Sequence, residues 1–120
     1  MKDISLGVIE SRFADIIWEN EPLSSAELSV QAELTLGWKK TTSYTVLKRL
    51  CDKGIFKNEK GTVTSLISKE EFFSMQSERF VEETFDGSLP AFLAAFTRSK
   101  KLSQKEVSEL RRLIEEFEEE

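Results

Sequence analysis

Thr41, Tyr44, Thr45 and Lys48 stand at i, i+3, i+4 and i+7. On a helix that spacing puts three hydroxyls and an ammonium on one face. Lys39, Lys40 and Thr42 flank the row, and Lys60 and Thr62 bracket Gly61 a little further on. These groups break no bonds. Hydroxyls can donate to or accept from base edges, threonine methyls can meet thymine methyls, and lysines can take phosphate oxygens. The window from Trp38 to Gly61 holds seven basic residues and two acidic ones, a local charge of +5 in a chain of net charge -5. A basic island in an acidic protein is the electrostatic footprint of a polyanion partner.

Bond-breaking chemistry finds little support. The chain of 120 residues has no histidine and one cysteine, Cys51. Ser-His-Asp and Cys-His catalysis are thereby excluded. A zinc site would have to be built from carboxylates alone, and one thiol closes no internal disulfide. No P-loop, GxGxxG or HExxH is present. The expectation is a non-enzyme with no cofactor and no metal, in which Cys51 is a small inert helix residue. A carboxylate-only hydrolase is the weakest alternative, since no acid pair stands out. No apolar run approaches the roughly 20 residues that span a bilayer. The opening MKDISLGVIE carries an early acid and no long apolar region, so it does not read as a secretory signal. A cytoplasmic protein without membrane insertion is expected.

The elements around the basic row are marked by caps and periodicity. Leu6, Ile9, Phe13, Ile16 and Ile17 recur at helical spacing, predicting a helix over Val8 to Asn20 that stops at Glu21-Pro22. Leu23 is then free to be extended. Ser24 and Glu27 fit a capping box for a second helix to about Leu36, with Leu28, Ala32 and Leu34 inward and Gly37 as its C-cap. A third helix runs from about Lys40 to Lys53, with Gly54 after it and Val46, Leu47 and Leu50 inward. It carries the hydroxyl row. Ile55 to Glu59 and Thr62 to Ile67 are β-prone and meet through Lys60-Gly61, a short hairpin that must pack on the helices to be stable.

The remainder has a different character. Residues 1–68 are electrically balanced, whereas residues 69–120 carry the whole net charge of -5 and seven of the nine phenylalanines. Two modules divided near Ser68 are expected. Capping boxes at Ser68 and Ser103, and Ser88-Leu89-Pro90 with proline early in a helix, predict three more helices. Their apolar positions are Phe72, Phe73, Phe80 and Phe85, then Leu89, Phe92, Leu93 and Phe96, then Val107, Leu110, Leu113, Ile114 and Phe117. Short helices this aromatic need cover. They can fold back on the first module or pair with a second copy, and pairing suits a reader of two-fold-symmetric DNA.

These segments together resemble the penicillinase repressor (BlaI/MecI/CopY) family of bacterial transcriptional repressors. The matching pieces are LGVIESRFADIIW (6–18), LSSAEL (23–28), WKKTTSYTVLKRLCDKG (38–54), DGSLPAFLAAF (86–96) and LSQKEVSELRRLIEE (102–116). In the third piece Trp38, Thr42, Thr45, Leu47, Arg49, Leu50, Lys53 and Gly54 match the family signature. The resemblance implies a mainly α fold, a winged helix-turn-helix domain over 1–68 with a three-helix C-terminal dimerisation arm over 69–120. It implies a homodimer that represses by binding double-stranded DNA at a palindromic operator.

By position, Thr41, Tyr44 and Thr45 become candidates for base-edge contacts, and Lys39, Lys40, Lys48 and Lys60 for phosphate contacts. Thr42 would touch phosphate or start the helix, Thr62 lies at the wing tip, and Tyr44 could instead fold onto its own helix. Arg49 would brace the helix or a phosphate, and Trp18 and Trp38 would pack. The family's relief of repression by a membrane-bound sensor peptidase aligns the cleaved bond with Ala95-Phe96, where Ala95 replaces the family's Asn. Where the copper-responsive branch carries a cysteine-rich hook, this sequence reads LIEEFEEE without cysteine, so copper sensing is not expected. Lys39 stands where relatives cap the third helix with Ser, and Ser43 where they often carry a branched apolar residue. A winged-helix protein-interaction module without DNA binding is the alternative reading, supported by the net negative charge.

Overall fold

The computed structural model describes residues 6–118; of the acidic tail Glu118-Glu119-Glu120, only Glu118 lies within them. Six helices and a small sheet follow one another along the chain: α1 (Val8–Asn20), β1 (Leu23–Ser24), α2 (Ser25–Leu36), α3 (Lys40–Asp52), β2 (Phe56–Glu59), β3 (Thr62–Ser65), α4 (Lys69–Phe85), α5 (Leu89–Ser99) and α6 (Gln104–Glu116). The fold is mainly α, as the periodicity predicted. Two compact units divide between Ser77 and Glu78, inside α4 and beyond the Ser68 boundary expected from composition.

In the first unit, α1 presents Phe13, Ala14, Ile16 and Ile17 to the core. The second helix is capped by the Ser24 hydroxyl, which accepts from the Glu27 N–H at 3.0 Å, and ends at Gly37 with φ 70°. At that φ an L side chain is disfavoured, so glycine ends the helix at least cost. Its buried residues are Leu28, Ser29 and Ala32. Leu34, expected inward, is 79% exposed, while the small Ser29 takes an inward place that its polarity had hidden.

The strands form one antiparallel sheet in the order β1-β3-β2. The hairpin pairs Phe56 with Ser65 and Glu59 with Thr62, while β1 adds only the rungs Leu23–Val63 and Ser24–Thr62. Lys60 and Gly61 turn the hairpin with φ of 52° and 87°. Positive φ at both central residues matches the right-handed twist of the strands. Asn58 Oδ1 accepts from the Gly61 N–H at 3.0 Å and steadies the turn.

Aromatic rings close the core. Trp38 stacks on Phe13 at 5.0 Å, and Trp18 packs against Phe56 and Phe72 at 5.1 and 5.5 Å. Both tryptophans are therefore packing residues, as expected. Trp18 also donates its indole N–H to the Ile67 carbonyl at 3.0 Å.

The second unit contains three aromatic edge contacts, linking Phe80, Phe85 and Phe92 at 5.6 to 6.0 Å. Serines cap its later helices. Ser88 accepts from the Ala91 N–H, and Ser103 with Glu106 forms a complete capping box. Neither α5 nor α6 contains a buried residue. Among the described residues no helix is long and apolar enough to cross a membrane, and no cluster of acidic and sulfur side chains could hold a metal ion.

Candidate nucleic-acid interface

The third helix sits on Val46, Leu47 and Leu50, all buried. Its opposite side is the row read from the sequence. Lys39, Lys40, Thr41, Thr42, Thr45 and Lys48 are exposed and Tyr44 is half-buried. The first turn contains no acid, and the N-cap Lys39 makes no side-chain capping bond. The positive end of the helix dipole thus lies among lysines without a local counter-charge, an arrangement that favours an anion.

Two hydroxyls of the row are partly engaged within the protein. Thr45 donates its Oγ1 hydrogen to the Thr41 carbonyl at 2.9 Å, which leaves its oxygen to act outward as an acceptor. The Tyr44 hydroxyl lies 3.5 Å from Ser25 Oγ, the outer edge of hydrogen-bond range. Lys40 Nζ stands over the Tyr44 ring at 5.9 Å from its centre. Tyr44 therefore extends toward the start of α2 with a cation on its face. Arg49 points away from base reading: its guanidinium meets Glu10 of α1 at 3.3 Å, bracing α3 against α1.

The wing supplies Lys57, Lys60 and Thr62, all exposed. Lys57 lies 3.6 Å from Glu59, so part of its charge is answered locally. The hairpin is fastened near its tip by the Ser25 N–H donating to the Gly61 carbonyl at 2.8 Å. Near its base, the Ser65 N–H and hydroxyl both reach the Glu21 carboxylate at 2.8 Å.

The residue that the inward stripe missed is Ser43. It is 2% exposed, and its hydroxyl oxygen has no hydrogen-bond partner. Its place one turn before Val46 and Leu47 was the available signal. Cys51 is half-buried, and burial, followed by the neighbouring Asp52 carboxylate, pushes its thiol pKa up. That suppresses the reactive thiolate.

The residues expected at a dimer interface do not share one environment. Phe72 is 1% exposed in the first unit's core, beneath Trp18, and is unavailable to a partner. Phe73, beside it, is about half exposed. In the second unit Phe92, Leu93, Phe96, Leu110 and Leu113 line an open groove of about 470 Å3 between α5 and α6. Val107 lies in a separate hollow with Leu102. Phe80, Leu89, Phe96, Leu113, Ile114 and Phe117 all remain exposed, Ile114 to 63% and Phe117 to 76%, and Phe85 is half-buried at the ring cluster. Ala95 and Phe96 lie inside the helical α5.

A helix presenting hydroxyls and bases, followed by a two-residue-turned hairpin on a three-helix core, defines a winged-helix protein. The sequence profile of the penicillinase repressor family matches residues 6–116, and the chain belongs to that family. It is 28% identical over 105 residues to the penicillinase repressor of Bacillus licheniformis, covering 84% of this chain and 82% of that one. It is 24% identical over 117 residues to the methicillin resistance regulatory protein MecI of Staphylococcus aureus, covering 94% and 95%. With the penicillinase repressor of Staphylococcus aureus it shares 22% identity over 120 residues, covering 97% and 95%. The chain is accordingly a transcriptional repressor, a regulator without enzymatic activity.

Proposed function

We propose that the protein represses transcription as a homodimer, each copy laying α3 in the major groove of one half of a two-fold operator. The exposed face of α3 carries this reading. Thr41, Tyr44 and Thr45 read base edges, and Lys39, Lys40 and Lys48 take phosphates that set the register. Thr42 adds a phosphate contact at the helix start. The wing places Lys60 and Thr62 on the neighbouring backbone. Phosphate contacts position and base contacts specify, so the two groups of side chains have separable effects.

Support for the homodimer comes from the second unit. Its helices expose a run of large apolar side chains, and such patches mark interaction surfaces. A second copy covers them with the same chemistry. Two linked half-sites then gain affinity without further contacts.

Gel-shift titration against operator and random duplexes tests the proposal. Binding should fall steeply as salt rises, because each neutralised phosphate releases counterions. Lys40→Ala should weaken both duplexes alike, while Tyr44→Ala should narrow the gap between them. A dimer without DNA affinity near physiological salt would replace this reading with a protein-interaction module.

A further inference from the structure

The antiparallel register that pairs Leu23 with Val63 and Ser24 with Thr62 would, if continued, set Pro22 against Thr64 and Glu21 against Ser65. The ladder stops instead at Leu23. Proline has no N–H to donate, so this edge of β3 cannot be completed by backbone at Pro22. At the next position a side chain takes over. Glu21 Oε1 accepts from the Ser65 N–H at 2.8 Å, and the Ser65 hydroxyl lies 2.8 and 2.9 Å from the two carboxylate oxygens. The pair joins positions 44 residues apart in the chain and is partly buried.

Its place along β3 matters. Ser65 closes the base of the hairpin opposite Phe56, whereas Thr62 and the Lys60-Gly61 turn form the tip. Backbone bonding to β1 and Ser25 fastens the tip half. Glu21 fastens the base half, where β1 is missing.

We infer that Glu21, through its bonds to Ser65, is a positioning residue that sets the angle at which the wing presents Lys60 and Thr62 to DNA. The inference rests on the DNA-binding role proposed above. It assigns a carboxylate to the support of a phosphate-binding element, with the acid turned inward to Ser65. Charge and geometry therefore predict opposite results. Removing one negative charge alone should tighten binding to a polyanion, whereas releasing the wing should weaken it.

The test uses the full chain with Glu21→Ala, Glu21→Gln, Ser65→Ala and Lys60→Ala. Glutamine keeps an acceptor for the Ser65 N–H and offers a donor to its hydroxyl. Glu21→Gln should bind operator at least as well as wild type. Glu21→Ala should bind more weakly, with the slope of log affinity against log salt shallower by about 0.9, the loss of one phosphate contact. Combining it with Lys60→Ala should cost less than the sum of the two single effects.

Hydrogen exchange without DNA gives an independent readout. In Glu21→Ala, and less strongly in Ser65→Ala, the Ser65 amide and the amides of 57–62 should exchange faster while those of α3 do not. Unchanged wing exchange, tighter binding by Glu21→Ala, or additivity with Lys60→Ala would overturn the inference. Faster wing exchange in a protein whose wild type binds no DNA would retain the fastening and overturn its role in DNA binding. Global unfolding of Glu21→Ala with normal salt dependence in Glu21→Gln and Ser65→Ala would make the pair a stability element and overturn the inference as well.

Discussion

The two halves of the chain solve the problem of apolar surface differently. The first unit encloses Phe13, Ile17, Leu28, Leu50, Ile55, Phe56, Val63 and Phe72 almost completely. The second holds its aromatic rings edge to edge yet leaves Leu113, Ile114 and Phe117 largely in water. Charge follows the same division, with the basic window in the first half and the net negative charge in the second. The first unit is a finished core that can spend its surface on recognition. The second leaves large apolar side chains uncovered, the surface on which the proposed dimer depends.

Substitutions at matched phenylalanines test the contrast most strongly. Phe72→Ala should cost about 3–5 kcal/mol in urea unfolding, as expected for a large ring removed from a filled core. Phe117→Ala should leave the unfolding of the first unit unchanged. A small effect of Phe72→Ala would erase the distinction between the units. Next in size is Leu113→Asp, which places a charge on the uncovered face. If a second copy covers that face, sedimentation should show monomers and operator affinity should fall about a hundredfold, roughly 2.7 kcal/mol. An unchanged dimer would show that the assembly uses another surface.

Smaller effects sharpen the picture within the first unit. Ser43→Ala removes a buried hydroxyl that has no partner and should raise stability by about 1 kcal/mol in the same urea assay. A loss of stability would mean that the hydroxyl is satisfied in solution. In the second unit, the Ser103 N–H and hydroxyl bind the Glu106 carboxylate and hold its pKa down. A lowered folded-state pKa means the carboxylate stabilises above its ordinary range and loses that contribution as pH falls through the lowered value. Melting of wild type should therefore lose stability relative to Glu106→Gln on going from neutral pH to acid. Parallel curves for the two proteins would remove the cap from the account.

Much of this was legible beforehand because the signals are local. Caps at Ser24, Ser88 and Ser103 and the apolar spacing of α1 and α3 need only neighbours a few residues away. The hydroxyl row of α3 was legible for the same reason. Side chains governed by distant packing were not. Ser43 is polar and lies inward, marked only by its spacing to Val46 and Leu47, and Leu34 is apolar and lies outward. Phe72 follows a capping box that looks like the start of a new module, yet Trp18 draws it into the old one. The Glu21–Ser65 bond has no local signature, since only the sheet brings the two together.

The turn at Lys60-Gly61 has a consequence for how wings of this kind can vary. Its two residues lock Glu59 opposite Thr62 and place Val63 in the core. Successive side chains in a strand alternate faces, so lengthening one arm by a single residue would throw the two arms out of register and set the Glu59–Thr62 pairing against the inward place of Val63. Growth by a matched pair, one residue on each arm, would keep the pairing of the two arms. Variation in wing reach should therefore come in even steps, or else carry a bulge that absorbs the odd residue.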